Sequence, residues 1–122
     1  MTQEIEIRMK MPGLNEYTNA NRRNRYAGAK MKKDTENEIM WYISKLPRFE
    51  HPIEIEFLWV EENKRRDLDN VAFAKKFILD AMVKAGKLKD DNRRCVTAFR
   101  DRFAYGKEAK VILTIRESEE IG

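Results

Sequence analysis

Ile53-Glu54-Ile55-Glu56-Phe57-Leu58-Trp59-Val60 is followed, one short polar loop later, by Asp67-Leu68-Asp69-Asn70-Val71-Ala72-Phe73-Ala74-Lys75-Lys76-Phe77-Ile78-Leu79-Asp80-Ala81-Met82. The hydrophobic period changes between the two. In the first part Ile53, Ile55, Phe57 and Trp59 share one face, against Glu54, Glu56 and Leu58, so residues 51–60 read as a strand. In the second part Val71, Ala74, Ile78, Ala81, Met82 and Ala85 fall on one helical stripe, from about Asn70 to Ala85, with Gly86 as its cap.

The same alternation of types extends outward. Residues 4–11 place Ile5, Ile7, Met9 and Met11 opposite Glu4, Glu6, Arg8 and Lys10, a first strand ended by Pro12-Gly13. A polar loop over residues 14–21 leads into a long helix. Ile39, Met40, Tyr42, Ile43 and Leu46 recur at helical spacing near its end, and Pro47 stops it. After the second helix come strands over residues 95–104 and 110–116, with Gly106 between them as a hairpin signal. Residues 117–122 read as a frayed tail. The order is β-α-β-α-β-β: a single α+β domain spanning residues 1–122, one mixed sheet with two helices packed on it.

With 122 residues the chain is long enough to bury a core, and 38% charged residues give it a heavily charged surface. The net charge of +4 is mild, so distribution matters more than total. Residues 19–33 hold Arg22, Arg23, Arg25, Lys30, Lys32 and Lys33 and no acid, as a phosphate-tracking surface needs; a solvated helix face is the alternative. The single cysteine, Cys95, excludes an internal disulfide and a cysteine-rich zinc site, and reads as a small apolar residue at a strand start. His51 stands beside Pro52 in a loop and lacks a partner pattern for a triad or for zinc. No phosphate-binding glycine loop, signal peptide or bilayer-spanning apolar run is visible, which gives a cytoplasmic expectation.

The chemistry is concentrated in Lys64-Arg65-Arg66-Asp67-Leu68-Asp69-Asn70 and in the later Asp90-Asp91, which leads into Arg93-Arg94. Carboxylates set among cations suit a divalent ion held against a polyanion, and hence phosphodiester chemistry on nucleic acid. Residues two apart point the same way only in extended backbone, so Asp67 and Asp69 converge on one ion only if the stretch is extended and the helix starts near Asn70. The alternative is that Asp69 or Asn70 is a helix N-cap and Asp67 is solvated.

These residues resemble the signature of the RusA-type Holliday junction resolvases, the RusA endodeoxyribonuclease family. The resemblance rests on Arg66-Asp67-Leu68-Asp69-Asn70, Leu79-Asp80-Ala81, Lys84-Ala85-Gly86 and Asp90-Asp91, with Pro12-Gly13-Leu14-Asn15-Glu16-Tyr17 similar to the family's N-terminal segment. It covers nearly the whole chain in order and placement of elements. It implies a small homodimeric nuclease of bacterial, prophage or phage origin. Such an enzyme needs Mg2+, with Mn2+ as a substitute, and cuts four-way DNA junctions by paired symmetric nicks in recombination and repair. It implies Asp67, Asp69 and Asp91 as catalytic, metal-holding aspartates, Arg66 as a basic residue beside them, and a lysine early in the following helix. Counting back from Asp80 selects Lys76, and Lys75 is a further candidate; the structural alternative for Lys76 is an ion pair with Asp80.

Magnesium takes oxygen ligands and keeps several waters, so two or three carboxylates suffice, and the scarcity of His and Cys agrees with a hard cation. Arg22 to Lys33, with Tyr26 among the cations, is the expected contact for the junction arms. Lys64, Arg65, Arg66, Arg93 and Arg94 are expected nearer the cut. One geometric difficulty follows. A helix of ~16 residues is ~24 Å long, and a segment from Gly86 to Asp91 runs back at most ~16–18 Å. Either that segment folds back along the helix, or Asp91 serves the site of the other subunit. The rival functions are a non-catalytic basic nucleic-acid-binding module, an inactive prophage resolvase, and a nuclease for other branched DNA.

Overall fold

The computed structural model describes residues 2–118, in eight elements. In chain order these are β1 (Thr2–Ile7), α1 (Leu14–Arg23), α2 (Arg25–Ile43), β2 (Ile53–Glu61), α3 (Leu68–Ala72), α4 (Lys75–Lys84), β3 (Val96–Tyr105) and β4 (Lys110–Glu117). The domain is α+β with one mixed four-stranded sheet, and each helical step of the β-α-β-α-β-β order is a pair of helical segments.

The sheet order is β1-β4-β2-β3. β4 runs antiparallel to both β1 and β2, and β2 and β3 are parallel. Residues 95–104 and 110–116 therefore do not form the hairpin that Gly106 suggests: β2 lies between their strands. The turn is real, but it steps over a strand. The Gly106 N–H donates to the carbonyl of Glu61 at 3.0 Å, so the loop is pinned across the end of β2. A side chain at Gly106 would put its Cβ 3.1 Å from Val60 Cγ1. Crossing two strand spacings takes ~10 Å, which a four-residue connection can span.

The expected alternation places the core. Ile53, Ile55, Phe57 and Trp59 on β2 and Val111, Leu113 and Ile115 on β4 are all buried, with the Phe57 and Trp59 rings stacked at 5.5 Å. Ile39 and Ile43 of α2 and Phe77, Ile78, Ala81 and Met82 of α4 complete that core. The opposite face, with Glu54, Arg100 and Arg102, is exposed, as one face of a sheet with antiparallel pairs can be.

Three boundaries differ from the sequence reading. β1 ends at Ile7 rather than Met11: Ile7 pairs with Val111 near the start of β4, and the chain turns there, with the Met9 N–H bonding the Ile7 carbonyl at 3.0 Å. Residues 14–21 are helical. α1 is held by little apolar surface, chiefly Tyr17 against Phe73 and Phe77 at 5.7 and 5.4 Å and the buried Ala20, so its polar sequence conceals it. The second long helix is broken at Phe73-Ala74, where Ala74 N–H bonds Val71 O at 3.2 Å and Phe77 N–H bonds Ala74 O at 3.0 Å, spacings tighter than an α-helix.

Glu117 is the last residue of β4 rather than tail. Its carboxylate accepts the N–H groups of Glu50 and His51 at 2.8 and 3.0 Å and so fixes the loop before β2. The rest of the expected tail, residues 119–122, lies outside the described residues. Cys95 is half-buried just before β3, and His51 sits in the loop, as read from the sequence. Among the described residues no helix is long and apolar enough to cross a membrane.

Candidate functional site

Two segments far apart in sequence lock together around the aspartates. Arg66 is 15% exposed at its side chain and reaches three places. Its Nε and Nη2 donate to Glu61 Oε1 at 2.8 and 2.7 Å, and its Nη1 donates to Glu16 Oε1 at 3.2 Å and to the carbonyl of Met11 at 3.1 Å. It thereby ties the end of β2 to the first turn of α1. Asn70 does the same from the other side: its Oδ1 accepts the N–H of Asn15 at 2.9 Å across 55 residues. Gly13 sits inside this clamp. A Cβ there would lie 2.6 Å from Asn70 Oδ1, 2.9 Å from Asn70 O and 3.0 Å from Arg66 Nη1, so the position needs glycine for close approach, not for its backbone angles. Asn70→Ala would leave the part-buried Asn15 N–H without its acceptor, at an expected cost of about 1–3 kcal/mol. Thermal unfolding would read it, and an unchanged midpoint would show that water replaces the amide.

Asp67 and Asp69 stand at the start of α3. Asp67 is the extended N-cap residue, and its side chain makes no capping hydrogen bond. α3 begins at Leu68, two residues before the expected start near Asn70, so Asp69 is already in the first helical turn and the pair is not extended throughout. The Asp69 Oδ1 accepts the N–H of Asn70 at 3.0 Å. Both aspartates are exposed, and among the described residues neither is paired with a cation.

Of the two routes for Asp91, the chain takes the one that folds back along the helix. The Lys87 N–H bonds Met82 O at 2.9 Å, reversing the chain, and Asp91 Oδ2 then lies 3.4 Å from Nζ of Lys76, in the first turn of α4. With α4 only ten residues long, ~15 Å, the return is within reach. Asp91 thus lies toward the end of α4 at which α3 arrives with Asp69. The three aspartates do not form a single ligand cluster: among the described residues no group of three or more His, Cys, Asp or Glu is gathered to hold a metal. The donors present are hard carboxylate oxygens, and the two exposed ones carry no competing cation. They fit an ion of magnesium's type that keeps most of its waters, and not a fully protein-coordinated one.

Lys76 makes the ion pair that is its structural alternative and also reaches Asp91. It pairs with Asp80 at 3.2 Å and with Asp91 at 3.4 Å. Its pKa is raised, first by the hydrogen bond it donates to Asp80 and then by Asp91, against the opposing effect of burial. It is therefore an ammonium at neutral pH, able to offset negative charge and unable to act as a base. Lys75 turns elsewhere. It meets Asp101 Oδ2 at 2.6 Å and lies over the Phe99 and Phe57 rings at 4.7 and 5.4 Å from their centroids. Trp59 Nε1–H donates to the other oxygen of Asp101 at 2.9 Å. Asp101 was missed in the sequence; the signal was a lone acid in register with Phe57 on an otherwise aromatic face of β3.

Behind Lys76 the charges alternate into the core. Asp80 lies 3.3 Å from Lys32, and Lys32 lies 3.7 Å from Glu36, whose other oxygen is bonded to Lys84. Glu36 is fully buried, and its Oε2 has no hydrogen-bond partner. Burial works against the charge of Lys32, but Asp80 and Glu36 outweigh it and hold its pKa raised.

The basic residues divide on inspection of their partners. Lys30 is paired with Asp34 at 2.8 Å, Lys32 belongs to the charge chain, and Arg66 belongs to the clamp. These three have partners within the molecule, which compete with their expected role as DNA contacts. Arg22, Arg23, Arg25, Lys33, Arg65, Arg93 and Arg94 are exposed, and none has an ion pair among the described residues. Arg22, Arg23 and Arg25 surround the elbow at Asn24, where α1 ends and the Asn24 Oδ1 caps α2 through the Ala27 N–H at 2.7 Å. Tyr26 stands on that elbow, 85% exposed.

A scan of the chain against protein-family models gives no match. A search of curated proteins gives none either.

Proposed function

We propose that the chain is a magnesium-dependent endodeoxyribonuclease that resolves four-way DNA junctions by paired nicks, acting as a homodimer in the manner of the RusA-type resolvases it resembles. The observation that carries this reading is the return of the Asp91 segment along α4, which brings Asp91 and Lys76 together toward the end where α3 presents Asp69. It is supported by the clamp of Arg66, Asn70 and Gly13, which joins the two segments on which the resemblance rests. The compartment that fits this work is the cytoplasm of a bacterium.

Asp67 and Asp69 would hold the ion directly, and Asp91 of the same subunit, which is not clustered with them, would reach it through the waters the ion keeps. Bound there, magnesium would lower the pKa of a coordinated water and neutralise charge on the scissile phosphate. The Lys76 ammonium would offset charge that builds on the phosphate or on the leaving oxygen. Asp80 keeps Lys76 from collapsing wholly onto Asp91 by sharing its charge. Arg65, Arg93 and Arg94 would contact backbone near the cut. The elbow cations Arg22, Arg23 and Arg25, with Lys33 and Tyr26, would hold an arm. α1 is ten residues long, so the elbow lies ~15 Å from the Asn70 clamp, about four or five base steps along a strand. A two-fold dimer would present two such sites to the two strands that resolution must cut.

The test is cleavage of a labelled four-way junction beside a matched linear duplex, with magnesium and with chelator. Paired nicks confined to the junction are expected. Asp69→Asn should reduce them by about 100-fold or more while junction binding in chelator changes little. Binding without nicks under every metal condition would make the chain a binding module or an inactive relative.

A further inference from the structure

β3 is an edge strand, paired only with β2, and the face it shares with the core is reached by Lys75 at the start of α4. That face carries Phe99, Asp101, Phe103 and Tyr105 in one row. Phe99 is 49% and Tyr105 53% exposed, although Ile55, Phe57 and Trp59, the β2 neighbours of Phe99, Asp101 and Phe103, are buried. We propose that this aromatic row is a base-stacking platform for unpaired DNA beside the aspartates, the means by which the protein engages opened strands at a branch point. The inference rests on the nuclease reading for its purpose, but the binding it predicts is measurable without cleavage.

Charge decides the occupant. Residues 93–107 contain Arg93, Arg94, Arg100, Arg102 and Lys107 against the single acid Asp101, an excess as large as the +4 of the whole chain. Asp101 is already committed to Lys75 and Trp59. Cations also reach the row from both sides of the aspartate segment. Lys64 Nζ lies 5.4 Å above the Tyr105 ring, and Lys75 Nζ lies 4.7 Å above that of Phe99. Arg100 and Arg102 project from the other face of β3, so on the face of the row the cations are Lys64 and Lys75, and rings flanked by cations are what single-strand binding surfaces use: the ring takes the base, the cation the phosphate.

The row also points at the site. Tyr105 is in register with Glu61, and the Glu61 carboxylate holds Arg66, the residue before Asp67. From Phe99 to Tyr105 is six residues of strand, ~20 Å, the length of about six stacked bases. A second copy of the chain is the other natural occupant of an edge strand. Arg100 and Arg102 oppose it, since both already lean on one carboxylate, Glu56, at 3.6 Å each. Antiparallel self-pairing would set further arginines against them.

The experiment is fluorescence anisotropy of a labelled oligothymidine in chelator, with sedimentation velocity of the same samples. The wild-type chain should bind the single strand. Tyr105→Ala and Phe99→Ala should each weaken binding by about 5- to 100-fold, and Tyr105→Phe should keep it within about twofold. Affinity for a linear duplex should be unchanged in all three, which also shows that they are folded. No single-strand binding by the wild type, or equal binding by Tyr105→Ala, would overturn the platform, as would an equal loss in Tyr105→Phe. A dimer that dissociates in the alanine variants would overturn it in favour of a subunit interface. None of these outcomes depends on whether the junction is cut.

Discussion

Lys32→Ala combined with Lys84→Ala is expected to destabilise the fold by about 3–5 kcal/mol, because it strips a fully buried carboxylate of both its cations. Glu36 sits between α2 and α4 with no exposed surface, and no hydrogen bond reaches its Oε2. Its charge is tolerated only because Lys84 bonds one oxygen and Lys32 approaches the other at 3.7 Å. The lysines themselves are 53% and 39% exposed, so each keeps part of its hydration, and for Lys32 the carboxylates outweigh what burial removes. Either single variant should cost less than half of the double, since the remaining lysine can move toward the carboxylate; the coupling is non-additive. Glu36→Met is expected to be neutral or stabilising, because it removes the buried charge and lets both lysines face water. Urea unfolding of the four variants at neutral pH reads all of this. A double variant that loses under about 1 kcal/mol would mean that water reaches Glu36 and that the charge chain has no structural role.

The pH dependence has a definite sign. Lys32 and Lys76 have raised pKa values in the folded state. Their contribution to stability is complete below the unfolded lysine pKa, ~10.4, and is lost as pH rises through the folded values. Neutral and mildly alkaline solutions leave it intact.

The same charge chain shows what the sequence could and could not disclose. Period-two alternation located β2 and the core face of the sheet, because a buried strand must repeat its apolar residues on one side. The stripe from Val71 to Met82 located α3 and α4 for the corresponding reason. Order along the chain says nothing of neighbours in space, so β4 inserting between β1 and β2 was not legible: Gly106 makes the same turn whether the next strand pairs beside β3 or beyond β2. α1 was hidden because Tyr17 and Ala20 do most of its packing and the rest of the helix is polar. For the site, local spacing gathered Asp67, Asp69 and Asp91 as candidates. Which cations are free and which are committed depends on partners dozens of residues away. Arg66 and Lys32 look like any other base in the sequence, and only the fold shows them turned inward.

Arg66→Ala is expected to cost about 3 kcal/mol and to unseat the aspartates, without acting as the loss of a DNA contact. The side chain and that of its partner Glu61 are each 15% exposed, so truncation leaves a largely buried carboxylate unpaired, along with the Met11 carbonyl. Lysine should not rescue it. One ammonium on a flexible stem cannot hold Glu61, Glu16 and the Met11 carbonyl in the fixed directions of the guanidinium. Gly13→Ala should reproduce the defect from the opposite side, since its new methyl would meet Asn70 and Arg66 inside 3.1 Å. Salt dependence separates clamp from contact. A cation on phosphate contributes about one unit to the slope of log affinity against log salt. Arg25→Ala on the exposed elbow should lower that slope, whereas Arg66→Ala should lower stability and leave the slope unchanged. Were Arg66→Lys to restore stability, or Arg66→Ala to flatten the salt dependence as Arg25→Ala does, the guanidinium would belong to the DNA interface and the clamp would need another keystone.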